Sequence, residues 1–154
     1  MTRLATPADV DVLLDLRVLM FTSMGTPLEA LSDPAWRAEA RAWLAAHVDH
    51  PATRIVVVED GGEVVAGGVA EVLAGIPAPS MPRGRLGFIS NVATFEHARG
   101  RGHGRAVMTD LVGWLEGDGD ADRIDLAATE DGAHIYRTMG FTDAAFPTMR
   151  RFRP

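Results

Sequence analysis

Apolar residues in the first fifty positions recur with the period of a helix. Val10, Leu13, Leu14, Val18 and Phe21 fall three or four apart and predict an amphipathic helix that stops near Gly25. Thr6-Pro7 reads as its N-cap and first helical residue, with Asp9 near the positive helix end. Asp33-Pro34 repeats that start signal. Trp36, Ala40, Trp43 and Leu44 then form one face of a second helix ending near His50-Pro51. Met1–Ala5 reads as a short strand ahead of both.

The period then shortens. Ile55–Val58 is β-branched, Asp60-Gly61-Gly62 is a turn, and Val64–Leu73 is apolar and punctuated by glycine, which together predict a hairpin. Gly75–Gly84 holds three prolines and predicts a loop. Arg85–Phe95 returns to strand character and ends in a Gly/Arg-rich turn. Beyond it, Val107, Leu111, Trp114 and Leu115 share one face of a helix over Ala106–Glu116. Ile124–Ala128 predicts a buried strand, Ala133–Met139 a short helix, and Phe141–Phe152 a last strand or strand pair. The order implies an α/β or α+β fold, one domain over residues 1–154 around a central sheet.

Composition narrows the function classes. With 47% hydrophobic and 23% charged residues, the chain predicts a soluble globular domain. No apolar run is long enough to span a bilayer, and no signal peptide opens the sequence, so no membrane partner is expected. Zero cysteines exclude disulfides and thiolate nucleophiles and suit a cytoplasmic location. Five histidines are scattered without ligand spacing, so no metal is expected. Asp and Glu total 21 against 15 bases, for a net charge of −6, and every base is arginine, a bias that a GC-rich genome accounts for. An acidic average disfavours nucleic acid as a partner.

Against that average, three arginines fall within seven residues, Arg99-Gly100-Arg101-Gly102-His103-Gly104-Arg105, between a predicted strand and a predicted helix. The first N–H groups of a helix lack intrahelical partners, and the macrodipole adds positive charge. Glycines let an anion approach those groups closely, and guanidinium suits phosphate oxygens. A phosphate or pyrophosphate ligand is one reading of this turn, a solvated loop another, and an RNA-binding segment a third. The turn is neither a P-loop nor the dinucleotide fingerprint: no Gly-Lys-Ser/Thr ending is present, and its glycines fall at 100, 102 and 104.

Taken with Ile89–Thr94, Leu126–Thr129 and Ile135-Tyr136-Arg137-Thr138-Met139-Gly140-Phe141, the turn resembles the GNAT superfamily of acetyl-coenzyme A-dependent N-acetyltransferases. Arg99-x-x-Gly102-x-Gly104 is similar to that family's coenzyme A motif. The resemblance implies a GNAT fold: a central mixed, mostly antiparallel sheet with a splayed strand pair and helices on both faces. It implies acetyl-coenzyme A as co-substrate and a small-molecule or peptide amine as acceptor, with a homodimer as an option. Val92, Ala93 and Thr94 would pair with the pantetheine arm. Gly100, Arg101, Gly102, His103, Gly104 and Arg105 would hold the pyrophosphate through backbone N–H groups, with the side chains of Arg99 and Arg105 in reach. Thr129 stands where many relatives place a cofactor-binding asparagine.

The same resemblance makes Tyr136 the general acid toward the departing thiolate, a role that suits a phenol of pKa ~10. It is the single tyrosine of the chain. A backbone N–H in Asn91–Ala93 would stabilise the oxyanion. The base stays open among Glu71, Glu130, His134, His47, His50 and a water held by Ser90 or Asn91. The first two helices and Gly75–Gly84 are expected to bound the acceptor, with Met20, Phe21, Met24, Trp36 and Trp43 as surface or core. A non-catalytic acyl-coenzyme A sensor of the same fold is the alternative.

Overall fold

Strand β2 (Thr53–Asp60) carries four consecutive buried residues, Ile55 to Val58, and their alternation divides the protein into two cores. Ile55 and Val57 face one side, where Val10 and Leu13 of α1 (Val10–Ser23) meet Leu44 of α3 (Pro34–His47). Val56 and Val58 face the other side, against Val107, Met108, Leu111 and Leu115 of α4 (His103–Glu116). Each wholly buried aliphatic side chain contributes roughly 1.5–3 kcal/mol. The structure, a computed structural model, describes all residues from Met1 to Pro154.

The sheet has five strands in the order β1-β2-β3-β4-β5, with β1 Thr2–Leu4, β3 Glu63–Ala74, β4 Arg85–Thr94 and β5 Arg123–Leu126. The first three pairings are antiparallel and β4–β5 is parallel, so the sheet is mixed, mostly antiparallel and flanked by helices on both faces, as expected. Gly61 and Gly62, at φ 63 and 84, turn the β2–β3 hairpin and bring Asp60 to its tip. Gly67 and Gly68 sit where both layers close on β3. A Cβ on Gly68 would come within 2.6 Å of Val107, and one on Gly67 within 3.2 Å of Leu13.

β4 and β5 pair only from Leu86↔Arg123 to Ile89↔Leu126. Beyond Ile89, β4 continues to Thr94 with a neighbour on the β3 side alone, which is the expected splay. At the same point the β3–β4 register slips: Gly67 pairs Ala93 but Val69 pairs Ser90, leaving an extra residue on β4. Asn91 occupies this bulge at φ 56, a left-handed conformation that asparagine tolerates.

Three readings of the sequence need correction. A short helix, α2 (Leu28–Ser32), precedes α3 and was not signalled by periodicity. The helix predicted over Ala133–Met139 starts earlier, as α5 (Glu130–Thr138). Phe141–Phe152 forms no strand and pairs with none of the five, with Phe146, Met149 and Phe152 exposed. Pro147 cannot donate to a ladder, and Arg150, Arg151 and Arg153 crowd like charges into the end of the segment.

Candidate functional site

The turn before α4 is built from backbone. Gly100 and Gly102 adopt φ 77 and 84, and nothing lies within 4 Å of where a Cβ would stand on either. Gly102 caps α4, and the first helical bond runs from Ala106 N–H to the Gly102 carbonyl at 3.0 Å. The six N–H groups from Gly100 to Arg105 have no acceptor in the protein. A cradle of unpaired donors at a helix N-terminus fits a pyrophosphate.

The arginines of the turn differ in where they point. Arg101 Nη1 lies 3.0 Å from Asp60 Oδ2 at the hairpin tip, and His103 Nε2 lies 3.5 Å from the same oxygen. These two side chains are thus turned to the hairpin, leaving their backbone N–H groups for an anion. Arg99 donates Nε to the Thr94 carbonyl at 3.3 Å, and Arg105 donates Nη2 to Thr138 Oγ1 at 2.6 Å. The second bond ties the start of α4 to the end of α5. Thr94 borders the turn as well, its Oγ1 3.9 Å from the position of a Cβ on Gly104. Ala93 and Thr94 pair with Gly67 and Ala66, and Val92 packs on the α4 core, so this stretch presents its other backbone edge to the splay.

Tyr136 is half-buried against the same core, edge-on to Phe141 at 6.2 Å. No protein group hydrogen-bonds its hydroxyl. Burial pushes the phenol above its ordinary pKa, which keeps it protonated and able to donate. Gly132, one turn earlier, leaves room for the ring: a Cβ there would stand 3.1 Å from Tyr136 Cε2 and 3.3 Å from its hydroxyl. Thr129 is the N-cap of α5, its Oγ1 accepting from Gly132 N–H at 3.3 Å, so its hydroxyl serves the helix.

On the α1/α3 side of the bulge lies a pocket of about 240 Å³, lined by Arg17, Trp43, Glu71, Ser90 and Asn91 with Ala40, Leu44 and Val69. Of the residues considered as base, the pocket brings in Glu71, Ser90 and Asn91. His47 is stacked on Trp43 at 3.9 Å with Nδ1 at the Trp43 carbonyl, and His50 accepts from Ala52 N–H. Glu130 and His134 are exposed on α5. Trp43 lines the pocket, while Phe21 and Trp36 pack edge-to-face at 5.9 Å beside it. No residue of Gly75–Gly84 takes part. The ends of that loop are joined by Gly75 N–H to the Gly84 carbonyl at 2.8 Å, and Arg83 pins it to Asp122.

Arg17 is the residue that sequence reading missed. Its Nη1 donates to Asn91 Oδ1 at 3.3 Å, and its guanidinium lies 5.0 Å from the centre of the Phe21 ring. Asn91 is buried and its Nδ2 has no partner. The available signal was position: Arg17 stands four after Leu13 and seven after Val10, a charge on the apolar stripe of α1.

The sequence matches the model of the acetyltransferase (GNAT) family over residues 15–141. The fold is similar to a GCN5-related N-acetyltransferase from Ralstonia eutropha, with TM-score 0.87 and 26% identity over 98% of this chain and 97% of that one. It is also similar to a predicted acetyltransferase from Clostridium acetobutylicum crystallised with acetyl-CoA, with TM-score 0.85 and 19% identity over 98% and 95%. Glucosamine-6-phosphate N-acetyltransferase from Arabidopsis thaliana follows, with TM-score 0.73 and 16% identity over 99% and 98%. At the two lower identities the likeness is one of fold. No curated protein matches the sequence.

Proposed function

Because the chain belongs to the acetyltransferase (GNAT) family, we propose that it transfers an acetyl group from acetyl-coenzyme A to a primary amine, by direct attack within a ternary complex. The observation that carries this reading is the run of unpaired N–H groups from Gly100 to Arg105, one 3-10 turn beyond a strand whose outer edge is free from Ser90 to Thr94. The turn receives the pyrophosphate, and Val92, Ala93 and Thr94 receive the pantetheine arm as an added strand.

The amine nitrogen attacks the thioester carbonyl carbon and gives up its proton to Glu71, directly or through a water at Ser90. A backbone N–H of the Asn91–Ala93 bulge stabilises the charge that develops on the carbonyl oxygen. As the C–N bond is completed the C–S bond breaks, its electron pair goes to sulfur, and the Tyr136 hydroxyl supplies the proton that makes the free thiol. With no cysteine in the chain, direct transfer is favoured over a thiol-bound acyl-enzyme. The absence of cysteine also fits action in the cytoplasm.

A thiol-release assay with acetyl-coenzyme A and a panel of amines tests the proposal. The expected result is free thiol and N-acetylated amine in equal amounts. Thermal stabilisation by acetyl-coenzyme A with no transfer to any amine would instead identify a non-catalytic reader of the thioester.

A further inference from the structure

The pocket beside the bulge holds two opposite charges that no counter-charge of the protein neutralises, although the Phe21 ring lies 5.0 Å from the Arg17 guanidinium. Arg17 is half-buried, and its one polar contact is the neutral Asn91 amide oxygen, so the rest of the guanidinium fork has no acceptor. No carboxylate lies within ion-pair range of it, whereas Arg3, Arg41, Arg54, Arg83, Arg101 and Arg123 each have one at 3.0 Å or less. Glu71, across the same pocket, makes neither a hydrogen bond nor an ion pair. A desolvated cation is retained at a cost unless something compensates it, and burial already pushes this guanidinium below its ordinary pKa. A fork aimed into a cavity matches a planar carboxylate.

We propose that the acceptor is a small amino carboxylate, its carboxylate held by Arg17 and its amine on the Glu71 side of the pocket. The volume of about 240 Å³ is below the roughly 300–1,000 Å³ of pockets for drug-sized ligands, so a free amino acid fits better than a folded protein substrate. One guanidinium opposite a carboxylate balances a single negative charge, which favours a carboxylate over a phosphate dianion. Arg17 thus sets a local positive charge against the net charge of −6. This inference rests on the proposed acetyl transfer and names its substrate class.

The test compares α-, β- and γ-amino acids with their amides and their decarboxylated amines. The expected wild-type preference for the free acid is about tenfold or more in kcat/KM. Arg17→Gln should erase that preference by raising KM for the amino acid, with KM for acetyl-coenzyme A unchanged, and Arg17→Lys should restore part of it. Equal use of acid and decarboxylated amine by the wild type, or a preference that survives in Arg17→Gln, would overturn the proposal. If no amine is acetylated, the transfer reading fails by itself. Calorimetric titration of the amino acids into wild type and Arg17→Gln then decides the carboxylate site: binding lost in the variant supports it, and no binding to the wild type refutes it.

Discussion

The two halves of the site are made of different materials. The turn from Arg99 to Arg105 is contiguous, presents backbone N–H groups, and has the side chains of Arg101 and His103 drawn to Asp60. The pocket on the other side of the bulge is assembled from side chains on α1, α3, β3 and β4, with Arg17 and Asn91 separated by 74 positions. Backbone donors recognise a group common to every thioester of one carrier, and side chains can be exchanged to suit one acceptor. Under the proposed function, the difference means that the donor half sets the reaction class and the acceptor half sets the substrate. In the proposed reaction Tyr136 serves the step that joins the two.

The strongest way to break this division is Tyr136→Phe. Loss of a general acid should lower kcat by about 10²–10⁴-fold, with acetyl-coenzyme A affinity by calorimetry unchanged. A retained kcat would reduce Tyr136 to a packing partner of Phe141.

A control away from both halves comes next. Arg3 hydrogen-bonds both oxygens of Asp9, at 2.8 and 3.0 Å, and holds its carboxyl at about 2 against an ordinary 3.8. The folded value is the lower one, so the stabilisation is complete above pH ~4 and drains away as pH falls through ~2. It amounts to about 2 kcal/mol. Denaturant midpoints should fall over that interval in the wild type and much less in Asp9→Asn, while KM for either substrate stays the same at neutral pH.

Gly132→Ala sharpens the role of the tyrosine, since the new Cβ presses on its ring and hydroxyl. Turnover should drop about tenfold, because misplacement of a reacting group is costly. The melting temperature should rise, as Ala exceeds Gly by ~1 kcal/mol within a helix. Activity that rises along with stability would mean that the ring position is immaterial.

For the donor half, Gly102→Ala forces an L-residue into the left-handed region at ~1–2 kcal/mol. Acetyl-coenzyme A should bind about tenfold more weakly, with kcat at saturation preserved. Arg105→Gln should change that affinity less than about threefold, since exposed side-chain charge adds little and its Nη2 already bonds Thr138. If Arg105→Gln proved the more damaging of the two, side chains rather than backbone would hold the phosphates.

Legibility in the sequence follows the same line. Most helices were readable because each buries a periodic face, Val10 and Leu13 in α1, Val107 and Leu111 in α4, and β2 because its β-branched run from Ile55 to Val58 is buried on both sides. The donor turn was readable because its residues are consecutive and its chemistry is that of any glycine-rich helix start. The bulge at Asn91 was not, since its left-handed φ arises from a register slip between two strands. Arg17 carried only a positional signal, a charge on the apolar stripe of α1, and its partner Asn91 is supplied by β4 from 74 positions away. Thr129 shows the converse: it stands where many relatives have an asparagine, and the local fold uses its hydroxyl as a helix cap. Phe141–Phe152 read as a last strand or strand pair, for which the sheet supplies no pairing.

Initial rates over a grid of acetyl-coenzyme A and amine concentrations test the central claim, that both halves are filled together and the acetyl group passes directly between them. Intersecting reciprocal plots are expected. Parallel plots, with acetyl label retained on the protein before any amine is added, would contradict it.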